Sequence, residues 1–136
     1  MNKKNKFIAL IPALWTCLFD ISITITHQPK EYWNGNLNTG NEANPIGDFI
    51  MKTHVSGIFI ISILWLIFIG ICGYYLPRKI SRIFLLFVFL THSATAISWI
   101  TPNYGFWFTI IFMLFNSILF YQIDDKINKK NISIRI

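Results

Sequence analysis

The chain has 136 residues and a formal net charge of +6, with 54% hydrophobic, 17% aromatic and 13% charged residues. An ordinary soluble domain carries about 25% charge, so there is too little polar surface here to coat a globule of this size. The same composition excludes a disordered tail, and the presence of only two cysteines excludes a disulfide scaffold.

A basic balance first raises nucleic acid as a partner. A nucleic-acid reader gathers its cations on one face. Here ten of the twelve fall in three short blocks: Lys3, Lys4 and Lys6; Arg78, Lys79 and Arg82; Lys126, Lys129, Lys130 and Arg135. Long apolar stretches separate them, which is the pattern of membrane flanks and not of a nucleic-acid surface.

A helix needs about 20 apolar residues to cross roughly 30 Å of hydrocarbon. Four segments qualify in chain order: 7–26, with the single charge Asp20; 55–76, without charge; 83–101, broken only by His92; and 106–123, with Asn116 its strongest polar group. The expected fold is all-α: an integral membrane four-helix bundle forming one transmembrane domain over residues 1–136. Residues 77–82 and 102–105 read as short turns that force antiparallel neighbours. Residues 27–50 form the one long connection, and its Asn/Gly-rich middle, 34–41, reads as turns without regular structure.

Counting cations orients the bundle. With both termini inside, only Lys30 and Lys52 fall outside, so the expected placement is N-in/C-in, with both termini cytoplasmic, in a prokaryotic plasma membrane. Lys3-Lys4-Asn5-Lys6 before an apolar run resembles the start of a secretory signal. No Ala-x-Ala site follows, and Trp15 stands where a lipoprotein box needs a small residue before Cys17, so the first span is expected to be retained. Cys17 and Cys72 fall at different depths and read as unpaired small hydrophobes. Gly70 and Gly73 read as packing notches. Asn131-Ile132-Ser133 matches a glycosylation pattern, but its cytoplasmic placement removes that reading.

The polar groups inside the spans carry the functional argument. An Asp at the centre of a spanning helix costs about 2.5–3.5 kcal/mol and faces the bundle interior. Ala13, Thr16, Cys17, Asp20, Thr24 and His27 form one helical stripe, and His92, Thr95, Ala96 and Trp99 form another. Thr109 and Asn116 share a face of the last span. Asp20, Thr24, His92 and Asn116 are therefore expected to meet in one polar cluster. At the outer mouth stand Asn41, Glu42, Asn44, Asp48 and His54. Asn44-Pro45 reads as an N-cap and first helical residue, so the second helix is expected to begin near Pro45 and project above the membrane. Asp48 and Lys52 form a favourable i,i+4 pair. A loop folded back over Asp20 and His54 would make Glu42 part of a lid.

Three functional classes fit. The first is a non-enzymatic membrane subunit, accessory factor or small-ligand binder. The second is a membrane-embedded metal-dependent hydrolase with Asp20, His54 and His92 around a zinc-bound water, since those are legal zinc ligands. The third is a proton or ion pathway through Asp20 and His92, which would need an oligomer. No nucleophile elbow, phosphate-cradling loop or His-Glu-x-x-His motif is present. The expected partners are the lipid bilayer and a second copy or another membrane protein, not nucleic acid.

Asp20, Thr24 one turn later, and Asn41-Glu42-Ala43-Asn44-Pro45 leading into the second span resemble a small uncharacterised prokaryotic polytopic membrane protein family with an Asp…Thr…Glu-Ala-Asn-Pro signature. The resemblance covers roughly residues 15–60, and this chain departs from it in a longer first loop that includes Tyr32-Trp33. It implies a small polytopic fold in which Asp20, Glu42, Asn44 and Pro45 matter, and it implies no activity.

Overall fold

In a computed structural model, described for residues 3–132, all regular structure is helical. Arg135 and the Ser133 end of the glycosylation pattern lie outside the described residues. Helix α1 spans Lys3–Thr26. The long connection then holds a single turn, α2 (Lys30–Trp33), a 3-10 turn over Leu37–Thr39, and α3 (Pro45–Met51). Three long helices follow: α4 (Gly57–Tyr75), α5 (Arg78–Tyr104) and α6 (Phe106–Ile132). Four helices, α1, α4, α5 and α6, are long and apolar enough to cross a membrane, and they make the all-α four-helix bundle.

The helices exceed the apolar segments for identifiable reasons. Pro77 immediately precedes α5 and supplies a fixed φ of −53°, so the reversal after α4 needs only Leu76 and Pro77 instead of the six-residue turn expected. At the other end Pro102 lies inside the last turn of α5 instead of in a connecting turn. There the side chains of Thr101 and Asn103 bond the carbonyls of Ile97 and Trp99 at 3.0 and 2.8 Å, which helps satisfy a turn that proline weakens. Gly105 alone, at φ 89°, reverses the chain. Helix α6 runs on past its apolar segment through an Asp125–Lys129 pair at 2.8 Å and an Asn128–Asp124 bond at 2.9 Å, i,i+4 contacts that support helix in water. The second span also differs: α3 and α4 are two helices broken at residues 52–56, not one projecting helix. The 34–41 segment contains the short 3-10 turn where only irregular turns are expected.

Helix α1 is the hub, packed against α4, α5 and α6. Ala13, Thr16 and Cys17 are fully buried, because small side chains let the neighbouring helices approach closely. One apolar core gathers Leu10, Ala13, Cys17, Ile69, Leu85 and Val88; a second, toward the long connection, gathers Ile23, Ala96, Ile100 and Phe112. A third lies beneath the connection itself, around Tyr32, Met51 and Ile58. Outward faces are apolar and exposed, as with Ile60, Ile63, Leu64 and Ile67 on α4 and Ile111, Leu114 and Ile118 on α6. Such a surface suits hydrocarbon as its solvent. Cys17 and Cys72 are free thiols.

The basic blocks sit at the same end. Lys6 donates to the Tyr74 carbonyl at 2.7 Å, and Arg82 reaches Asp124 at 2.6 Å. The two glycines of α4 are not equivalent. A Cβ on Gly73 would collide with Leu10 Cδ2 and stand 2.9 Å from Leu85 Cδ2, whereas one on Gly70 would meet nothing within 4 Å. Gly73 is the notch; Gly70 is not. Gly73→Ala should therefore destabilise the bundle by about 1–3 kcal/mol, with Gly70→Ala neutral or slightly stabilising, when unfolding is followed in detergent micelles.

Candidate functional site

Close packing of α1 on α5 brings two ionisable groups together in the bundle. The ring Nδ1 of His92 lies 2.7 Å from Asp20 Oδ2, across 72 residues of sequence. From α4, the indole Nε1–H of Trp65 donates to His92 Nε2 at 2.8 Å. The carboxylate is the acceptor at Nδ1 and the indole is the donor at Nε2, so these partners define the Nδ1–H tautomer of a neutral imidazole. Asp20–His92–Trp65 is thus a continuous hydrogen-bonded chain across three helices. Asp20 is only 7% exposed, and its Oδ1 is buried with no hydrogen-bond partner among the described residues.

This chain forms part of the wall of a cleft of about 630 Å³. Its lining comes from Asp20 and Thr24 of α1, from α4 and α5, and from residues 41–44 with Gly47, which cross from the long connection into α3. That crossing segment is held by specific bonds. The Gln28 amide grips the Asn41 main chain twice, donating from Nε2 to the carbonyl and accepting the N–H at Oε1, both at 2.8 Å. Tyr32 is fully buried, and its hydroxyl donates to the Val55 carbonyl at 3.1 Å. Asn44 caps α3 by accepting from the Ile46 N–H at 3.0 Å, with Pro45 in the first helical position. Glu42 Oε1 accepts from the Asn44 N–H at 2.7 Å. Its stem lies against α3 at Gly47, where a Cβ would stand only 2.9 Å from Glu42 Cγ. Gln28→Ala should loosen this end of the cleft at a cost of about 1–3 kcal/mol, because Gln28 is buried and the replacement removes both partners of the Asn41 main chain. Amide hydrogen exchange over residues 41–51 would report it.

Burial raises the Glu42 carboxyl above its ordinary value of 4.5; the Asn44 N–H opposes this, the charge of Asp20 adds to it, the Ala43 N–H opposes it, and Asp48 adds again. An acid with a raised native pKa binds more protons folded than unfolded in the window between 4.5 and that raised value. Its contribution to stability therefore falls as pH rises through the window. Glu42→Gln should remove that slope from a plot of thermal midpoint against pH.

Not every expected residue joins the cleft. Asp20, Thr24, His92, Asn41, Glu42 and Asn44 line it. Asn116 does not. It accepts from Trp15 Nε1 at 3.1 Å and reaches Ser93 at 3.4 Å, joining α1, α5 and α6 in a separate polar contact. Asp48 forms its pair with Lys52 at 2.6 Å on the surface. His54 is exposed and turned to Ser56, whose N–H and hydroxyl lie 3.0 and 2.8 Å from its Nδ1. The zinc set of Asp20, His54 and His92 is therefore not assembled, and no other group of three His, Cys, Asp or Glu side chains among the described residues could hold a metal.

Trp65 and Gln28 are the residues that sequence reasoning misses. Trp65 sits in an unbroken apolar run, where an indole reads as lipid-facing. Gln28 stands just past the end of α1 in no motif, and only the structure shows its amide buried. These features define a helical membrane protein with a polar cleft between its spans, closed at one end by a folded loop. Compared with known families, curated proteins and solved structures, the chain matches none.

Proposed function

We propose that this protein is a non-enzymatic binder of a small molecule, held in the Asp20–His92 cleft, in a prokaryotic plasma membrane with both termini in the cytoplasm. The observation that carries this reading is the Asp20–His92–Trp65 chain on the wall of a cleft of about 630 Å³, a volume within the range of small-molecule sites. The zinc set that a metal-dependent hydrolase would need is not assembled, because His54 is exposed and turned to Ser56. That favours binding over metal-assisted hydrolysis. The cations gathered at the end away from the loop support the orientation. The resemblance to the Asp…Thr…Glu-Ala-Asn-Pro family fits as well, since Asp20, Thr24, Glu42, Ala43 and Asn44 line the cleft and Pro45 opens α3 beside them.

The test is a thermal-midpoint screen of the protein in lipid nanodiscs against small amphipathic cations, anions and neutral molecules. A ligand at 100 times its Kd adds about 2.7 kcal/mol, so one class should raise the midpoint of the wild type and not that of a cleft variant such as His92→Leu. No shift with any class, or equal shifts in cleft variants, would overturn the reading. A reporter fused after Ile136 should report cytoplasm, and one placed within residues 34–41 should report the opposite side.

A further inference from the structure

We infer that the ligand of this cleft is a protonated amine with an apolar body, its N–H groups directed to the carboxylates of Asp20 and Glu42. The inference rests on the small-molecule reading above and assigns its chemical class.

Charge selects the class. The residues around the cleft include two carboxylates, Asp20 and Glu42, one imidazole, and no Lys or Arg. The imidazole cannot offset both acids, because its Nδ1–H is directed to Asp20 and its Nε2 accepts from Trp65. It has no donor left for an anion. An anion would meet two carboxylates with no cation to balance it, and a molecule without a donor would leave Asp20 Oδ1 unpaired. A buried charge is stable only when it is paired and hydrogen-bonded. Asp20 lines the cleft, and its Oδ1 is buried without a partner among the described residues, so the carboxylate keeps acceptor capacity that an ammonium N–H can use.

The walls agree. Trp65 and Trp99 are among the residues lining the cleft, and indoles attract cations. Ile21, Ile58, Ile61 and Phe87 supply apolar wall for the body of the ligand. Glu42 depends on the loop for its place. It belongs to the segment that Gln28 ties down and α3 supports, so it completes the carboxylate pair only when that segment is docked.

The experiment compares three probes of matched size on the nanodisc-embedded protein by calorimetric titration: phenethylammonium, 2-phenylethanol and phenylacetate. Phenethylammonium should bind about tenfold or more tightly than 2-phenylethanol, as a hydrogen bond to a charged group implies, and phenylacetate should bind weakest. Asp20→Asn keeps an acceptor for His92 and removes the charge; Glu42→Gln does the same on the loop, away from the spans. Each should reduce the ammonium-over-alcohol preference several-fold, and Glu42→Gln decides the matter if Asp20→Asn does not fold. Equal or tighter binding of the alcohol or the carboxylate, or a preference that survives the substitutions, overturns the amine assignment and leaves the small-molecule reading standing. Failure of all three probes to bind overturns the amine assignment, and the nanodisc screen across ligand classes then decides the small-molecule reading separately.

Discussion

Replacing His92 by leucine should destabilise the bundle by about 3 kcal/mol, the cost of taking the hydrogen-bond donor from a buried carboxylate. The size follows from how little else holds Asp20. Its Oδ2 bonds His92, its Oδ1 has no partner among the described residues, and the side chain is 91% buried, with 9% exposed. Without the imidazole, the buried carboxylate loses its hydrogen-bond partner. Removing both polar groups, as in Asp20→Leu with His92→Leu, should restore much of the loss, because two apolar side chains can pack where one orphaned charge cannot. The comparison separates stability from function. The double variant should unfold near the wild-type midpoint in a denaturant titration in micelles, yet lose several-fold or more of the preference for the ammonium probe. A single His92→Leu variant as stable as the wild type would show that the pair contributes nothing to the fold.

The second large effect lies 35 residues away in sequence, at Gly57. A Cβ there would fall on the Ile50 carbonyl group and stand 3.0 Å from Met51 Cα. These are backbone atoms at the end of α3, so no rotamer change relieves the clash. Gly57→Ala should cost about 1–3 kcal/mol, and it should act at a distance. Pushing α3 off the start of α4 also moves Gly47, on which Glu42 rests, and so withdraws the second carboxylate from the cleft. Weaker phenethylammonium binding with Asp20 and His92 intact is the expected result of calorimetry on this variant. Unchanged affinity would mean that the α3–α4 joint does not position Glu42.

Much of the architecture was legible in the residues. The four apolar runs and the cation blocks follow directly from the solvent that a spanning helix meets. Asp20 and His92 stood out because an ionisable group in such a run needs a partner, and the small residues beside them marked the faces that meet. The Asn44-Pro45 cap was legible because capping is local chemistry. What escaped detection depends on three-dimensional approach. Asn116 shares a depth with Asp20, but α6 carries it to Trp15 and Ser93 instead of into the cleft. His54 was expected near the pair, but its ring bonds Ser56 two residues on, a local competitor that spacing alone does not reveal. Trp65 reaches His92 across a helix pair from an otherwise apolar run. The loop is set by Gln28 on Asn41 and Tyr32 on Val55, contacts 13 and 23 residues apart with no motif to announce them. Pro102 misled because proline usually ends a helix, and here neighbouring side chains satisfy its turn.

Nitrogen-15 NMR of the His92 imidazole in nanodiscs addresses the central pair most directly. A protonated Nδ1 and an unprotonated, hydrogen-bonded Nε2 are expected, with both signals moving on addition of phenethylammonium and the movement reduced in Glu42→Gln. A ring carrying its proton on Nε2, or one that exchanges freely between tautomers and ignores the probe, would contradict an Asp20–His92–Trp65 chain at the wall of a binding cleft.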